Sequence, residues 1–306
     1  MRALLVIPVV ASSLCLSSCY IDGGGWGERF NKDFHSSYPL KPGGRITVET
    51  FNGSVEISGW DQDTVDISGT KYGPTQSDAD NLRVDIDATA DSVSIRVPRP
   101  SLGRNEGARF VIKIPRNATL DRITTSNGSI RTQDGVGPAR LKSSNGSIHV
   151  VDFRGNLDAE TSNSAIELLN VEGDVTAHSS NGHIHADRLA GSLEASTSNG
   201  GIQADLARAD RPVRAETNNS SVELTFPAHF SSAVRVSTNN GGITLHLPEN
   251  TNARVSARTS NSSVNTDFEI TAHGEISKNH LDGVIGAGGP LIDLNTSNGG
   301  IRLLRR

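Results

Sequence analysis

The stretches Thr161-Ser-Asn-Ser-Ala-Ile166, Ser179-Ser-Asn-Gly-His-Ile184 and Thr197-Ser-Asn-Gly-Gly-Ile202 are three copies of one pattern, Ser/Thr-x-Asn-Gly/Ser-x-Ile/Val, set 18 residues apart. Searching outward, the pattern centres on Asn52, Asn127, Asn145, Asn163, Asn181, Asn199, Asn219, Asn240, Asn261 and Asn298. The spacing is 18 from Asn127 to Asn199, then 20, 21 and 21. The gap from Asn261 to Asn298 is 37, close to two periods, and the gap from Asn52 to Asn127 is 75, close to four. A fixed period of this size is the signature of a repeat architecture.

Aligned on the asparagine, the copies form columns. Two positions before it every residue carries a hydroxyl, as in Thr125, Ser143, Thr161 and Ser179. Four before, the column is apolar and mostly Ala (Ala159, Ala177, Ala195, Ala215), and six before it holds Leu157, Val175, Leu193 and Val213. Three after stand Ile130, Ile148, Ile166, Ile184, Ile202 and Val222. Alternation with period two on both sides of a break in parity predicts two short strands joined at a corner, each with one buried face. Asn and Gly tolerate left-handed backbone angles, which would suit a corner.

Two assemblies fit. In one, Asn-Gly is a type I′ turn and the chain is an antiparallel hairpin meander. In the other, the chain is a parallel β-helix, an all-β solenoid of 18–21-residue coils with equivalent residues stacked. Burial favours the solenoid: a meander leaves its apolar face bare, and no helical segment is left to cover it. Stacking places the hydroxyl and Asn columns inside or at the corner, where each Asn can bond to the next in a ladder. About 260 repeat residues predict roughly 13 coils, a rod of about 60–65 Å at about 4.8 Å per coil.

Composition agrees. Aromatics are 4% and there is one Met, against 36 Ser and 23 Asn, so a thick core of large rings is excluded. The net charge of −5 speaks against a nucleic-acid partner.

Residues 1–18 read as an export signal: Arg2 is followed by an uncharged apolar run from Ala3 to Leu16, too short to span a bilayer. Leu16-Ser17-Ser18-Cys19 resembles the lipobox of bacterial lipoproteins, which implies a lipid on Cys19 and a membrane partner reached through that anchor. Tyr20 rather than Asp after the cysteine points to the outer membrane or periplasmic face of a Gram-negative envelope. Cys15 falls in the removed segment, so the mature chain carries no disulfide. Residues 19–44, with Gly23-Gly24-Gly25, read as a flexible stalk and residues 45–306 as the repeat domain. Residues 69–80 and 99–107 read as surface excursions.

With Phe51-Asn-Gly-Ser-Val-Glu-Ile-Ser-Gly-Trp-Asp61 near the start and Leu281-Asp-Gly-Val-Ile-Gly-Ala-Gly-Gly-Pro290 near the end, the chain resembles the bacterial putative-adhesin family of β-strand repeat proteins, a domain of unknown function. The resemblance covers residues 45–304 and implies an exported, surface-placed β-helix with no catalytic residue. Asn163-Ser, Asn219-Ser and Asn261-Ser depart from Asn-Gly.

For chemistry, the column four after each asparagine holds His149, Glu167 and His185 as stacked neighbours, with His183 on the same face. Such a cluster can bind a divalent metal, although a solvated polar ladder is the simpler expectation. No catalytic constellation, cofactor motif or resident metal is expected. The reading is a non-enzymatic envelope lipoprotein with an adhesive, binding or structural role toward a glycan or an envelope protein. The competing readings are a carbohydrate-active enzyme on a β-helix and a regulatory partner in envelope stress.

Overall fold

The computed structural model describes residues 29–99 and 105–306. The export signal, Cys19 and the stalk as far as residue 28 lie outside the described residues. Among the described residues the chain is all-β apart from one short helix, Gln76–Asn81, and its strands form two long, mostly parallel sheets of 13 and 14 strands.

One repeat shows how the sheets are built. Leu157–Thr161 pairs in parallel with Ala139–Ser143 on one side and Val175–Ser179 on the other. The chain turns at Ser162 to Ala165 and continues as Ile166–Glu172 in the second sheet, between Ile148–Arg154 and Ile184–Ala190. Strands on either side of an Asn-Gly corner thus lie in different sheets. The hairpin meander does not form, because its turn would pair those two strands with each other.

Equivalent residues stack in register. Leu157, Ala159 and Thr161 from the first strand and Ile166, Leu168 and Val171 from the second are all buried. The apolar side chains of both sheets belong to one hydrophobic core. Burying each Val, Leu or Ile contributes about 1.5–3 kcal/mol, so the columns that recur in the sequence supply the main driving force. Rings are few but not excluded: Phe110, Phe153 and Phe226 are fully buried. Phe153 fits because a Cβ on Gly135 would lie only 2.8 Å from its ring.

Left-handed backbone occurs at the other corner, not where Asn-Gly suggested it. Asp134, Asp152, Asn170 and Arg188 have φ of 51 to 56°, and Gly137, Gly155, Gly173 and Gly191 have φ of 124 to 148°. Of the Asn-Gly corners only Gly53 has a positive φ. The others need glycine for space: a Cβ on Gly146 would stand 1.8 Å from the carbonyl oxygen of Gly128 in the coil beneath. The left-handed residue inside Ile148–Arg154 shifts the parity, so that Ile148, Val150 and Phe153 all face inward.

The ends depart from expectation in three ways. Phe30–Pro39, placed in the stalk by composition, is a strand paired antiparallel with Thr64–Gly73, so the folded part begins well before residue 45. Gly69 to Gly73 belongs to that second strand, and the helix that follows buries Ala79, so residues 69–80 are no simple excursion. The coils also stack out of chain order. Arg45–Glu49 lies between Ser92–Arg96 and Thr119–Thr125, and Leu291–Thr296 lies between Val234–Ser237 and Ala253–Thr259. Each sheet has 11 parallel-stacked strands, not 13, with antiparallel strands added at one end of the first sheet and at both ends of the second. The gaps of 75 and 37 residues are therefore excursions and a reordering rather than missed periods.

Two substitutions test this packing. Thr132 lies in the core column between Ile57 and Val150, and its buried hydroxyl has no partner. Thr132→Val should therefore raise stability by about 1 kcal/mol in urea unfolding. Gly173→Ala should lower it by roughly 1–3 kcal/mol, since φ is +145° and the new Cβ would meet the Gly155 carbonyl oxygen at 2.2 Å.

Candidate functional site: the stacked polar columns

The corner is built around the buried hydroxyl. Ser143 Oγ donates to the carbonyl of Gly128 in the coil beneath at 2.9 Å and accepts from the N–H of Gly146 in its own coil at 2.9 Å. The same donation recurs from Thr125, Thr161, Ser179, Thr197, Thr217, Thr238, Thr259 and Thr296, at 2.8 to 3.2 Å. These hydroxyl residues are all buried. Each of these side chains thereby ties its corner to the neighbouring one, and Ser143, Ser179, Thr197, Thr238 and Thr296 also accept from the N–H three residues on and close their own turns.

Outside it runs the asparagine column. Asn127 Nδ2 donates to Asn52 Oδ1, Asn145 to Asn127, Asn163 to Asn145, Asn181 to Asn163 and Asn199 to Asn181, at 2.6 to 2.8 Å. The run continues through Asn219, Asn240 and Asn298 to Asn261, at 2.7 to 2.8 Å. All the amides point the same way, and Asn52 Nδ2 ends the run on the carbonyl of Glu106. The asparagines sit at the corner, as expected, but from Asn127 onward they are exposed. Beside them Ser126, Ser144, Ser162, Ser180 and Ser198 form a second, partly to fully exposed column.

On the outer face of the neighbouring sheet, His149, Glu167 and His185 are in register as the spacing predicted. His149 Nδ1 lies 2.9 Å from Glu167 Oε2, and its Nε2 lies 2.9 Å from Ser147 Oγ. His183 and His185 line a shallow groove with Glu167, Gln203 and Glu223. Among the described residues no three His, Cys, Asp or Glu side chains gather closely enough to hold a metal ion. The column is a ladder of pairs: further along, His246 Nε2 contacts Glu223 Oε1 at 3.0 Å.

The opposite sheet carries similar surface pairs, Lys142 with Glu160 at 2.7 Å and Arg140 with Asp158 at 3.4 Å. Exposed pairs of this kind contribute about 0–1 kcal/mol each. Hydrogen bonds from Ser192 and Arg211 hold the Asp174 carboxyl below the usual range. The Arg116 side chain does the same for Asp61, and the hydrogen bond from Ser256, with those of His280, does so for Asp282.

The second corner escaped the sequence reading. Asp134, Asp152 and Asn170 stack there, Asn170 Nδ2 donating to Asp152, and with Arg116, Arg154 and Glu172 they line an open cleft. Its signal was the glycine at 137, 155, 173 and 191, spaced by 18 like the asparagines. No helix among the described residues is long and apolar enough to cross a membrane.

No known family pattern matches the chain. No curated protein matches it. Solved structures to which it is similar include a putative adhesin from Bacteroides fragilis, at 12% identity over 90% of this chain and 97% of that one, with a TM-score of 0.39. A putative lipid binding protein from Parabacteroides distasonis is 12% identical over 92% and 97%, with a TM-score of 0.40. A putative cell adhesion protein from Clostridium sporogenes is 11% identical over 90% and 100%, with a TM-score of 0.24.

The two polar columns should differ in weight. Ser143→Ala strips partners from a carbonyl and an N–H at a buried corner and should cost about 1–3 kcal/mol. Asn145→Ala breaks two side-chain bonds in solvent, where water replaces them, and should cost no more than about 1 kcal/mol. Thermal melts of the two variants check the order.

Proposed function

We propose that the chain is a non-enzymatic, exported lipoprotein whose stacked coils form a β-solenoid rod that binds or spaces a component of the cell envelope. The observation that carries this reading is the uninterrupted exposed column from Asn127 to Asn261, flanked by the outer serines. Identical amides repeated at about 4.8 Å present many weak, equivalent contacts along one line. Such a line suits a partner that is itself repetitive, a glycan chain above all, because each contact after the first is made at high effective concentration. The small side chains beside it leave the line accessible.

Anchoring rests on Leu16-Ser17-Ser18-Cys19. A diacylated cysteine holds a protein at a membrane without spanning it. The column would then face the envelope space.

Two measurements test the two halves separately. Cys19→Ser should abolish incorporation of labelled fatty acid and release the protein from the membrane fraction, while labelling unchanged from wild type refutes the anchor. For binding, residues 20–306 immobilised on beads should retain envelope polysaccharide, and Asn145→Ala with Asn181→Ala should reduce that retention. Turnover of the bound glycan would refute the non-enzymatic reading, and retention that ignores the double substitution would remove the column from it.

A further inference from the structure

Two segments of the chain are equally well patterned for a single place in the stack. The coil Val234–Ser237 and Ile243–Leu247 sits on its predecessor with an offset of 21 residues, Val213 beneath Val234 and Val222 beneath Ile243. A further 21 residues on from Val234, Val236, Thr238, Asn240 and Ile243 stand Val255, Ala257, Thr259, Asn261 and Val264. Every column matches: apolar, apolar, hydroxyl, asparagine, apolar. A direct continuation of the stack would therefore place 255–266 on 234–245.

The structure places the C-terminal coil there instead. Val234 and Val236 pair with Ile292 and Leu294, and Ile243 and Leu245 pair with Ile301 and Leu303. Thr296 Oγ1 donates to the Gly241 carbonyl at 2.9 Å, and Asn298 Nδ2 donates to Asn240 Oδ1 at 2.7 Å. Residues 253–266 are displaced outward by one place and repeat the same contacts on the inserted coil. There Thr259 Oγ1 donates to Gly299 and Asn261 Nδ2 to Asn298.

The two candidate coils differ in side-chain size. The C-terminal coil brings Ile292, Leu294, Ile301 and Leu303, all fully buried, where the direct neighbour would bring Val255, Ala257, Val264 and Thr266. Insertion also adds a stacked layer that the direct arrangement lacks. The inserted coil is joined to the preceding strand, His280–Ile285, through a segment in which Gly286 and Gly288 have positive φ.

We propose that the C-terminal coil is an insertable strand pair: residues 291–305 and 253–266 compete for the same place, and eviction of the former leaves a shorter, properly stacked solenoid end. This holds whether or not the chain is lipid-anchored or binds a glycan.

The two arrangements differ at one measurable distance. Thr244 and Asn265 both pair with Arg302, one from each side, so they stand two strands apart, about 10 Å. A disulfide needs Cα atoms within about 7 Å, which only direct stacking provides. In the exported full chain carrying Thr244→Cys and Asn265→Cys, the cross-link should be absent, and adding Ile301→Asp should make it form. Hydrogen exchange on the Ile301→Asp chain should show residues 291–305 losing protection by about 100-fold or more while 253–266 stay protected. Failure of the cross-link to form with Ile301→Asp, or loss of protection in both segments together, overturns the proposal. Should Ile301→Asp not accumulate, Ile301→Ala replaces it: the cross-linked fraction must then rise above that of the cysteine pair alone, and no rise is equally fatal.

Discussion

The arrangement depends on one buried hydroxyl per coil. A parallel stack has to turn its backbone at every corner, and the turn leaves N–H and C=O groups that neither sheet can pair. An unpaired buried group costs about 1–3 kcal/mol, and ten unpaired corners would exceed the stability of an ordinary domain. Ser143, Ser179, Thr197, Thr238 and Thr296 answer both needs with one oxygen, accepting within the coil and donating to the coil beneath, and Thr125, Thr161, Thr217 and Thr259 make the donation. Thr and Ser are the smallest side chains able to do both, which explains a column with no other residue type.

The exposed asparagines are a consequence of this register rather than its cause. Once the hydroxyls set the vertical alignment, the amides beside them stand at hydrogen-bonding distance and polarise one another in a single direction. Their exposure weakens them as a source of stability and makes them available as a surface. Adjacent columns of one corner thus differ in burial: the hydroxyl lies inside and holds the stack, and the outer Asn and Ser face outward.

Much of this was legible in the sequence. The columns at Leu157, Ala159, Thr161 and Ile166 announced strand, inward face and corner, since a period of two exposes the buried side directly. The in-register stacking of His149, Glu167 and His185 followed from the period alone. Three features did not follow. The left-handed backbone was assigned to the asparagine corner because Asn and Gly permit it, but permission is not requirement, and the steric demand of the coil beneath explains those glycines. The strand Phe30–Pro39 was hidden by its polar composition, which suits an edge strand with one packed face. The absence of a gathered metal-ligand cluster among the described residues is a matter of side-chain direction, on which column spacing is silent.

The sequence by itself determined the repeating unit: two short strands, their buried faces and the hydroxyl at the corner, whereas the strand pairing in the structure decided for parallel stacking over a hairpin meander. Only the tertiary structure decided which coil sits on which. Because the ten repeat units share the same columns, local pattern leaves their order degenerate. Bulk and chain connectivity break that tie at the ends. Ile292, Leu294, Ile301 and Leu303 fill the core better than the coil that precedes them in the chain, and they take its place.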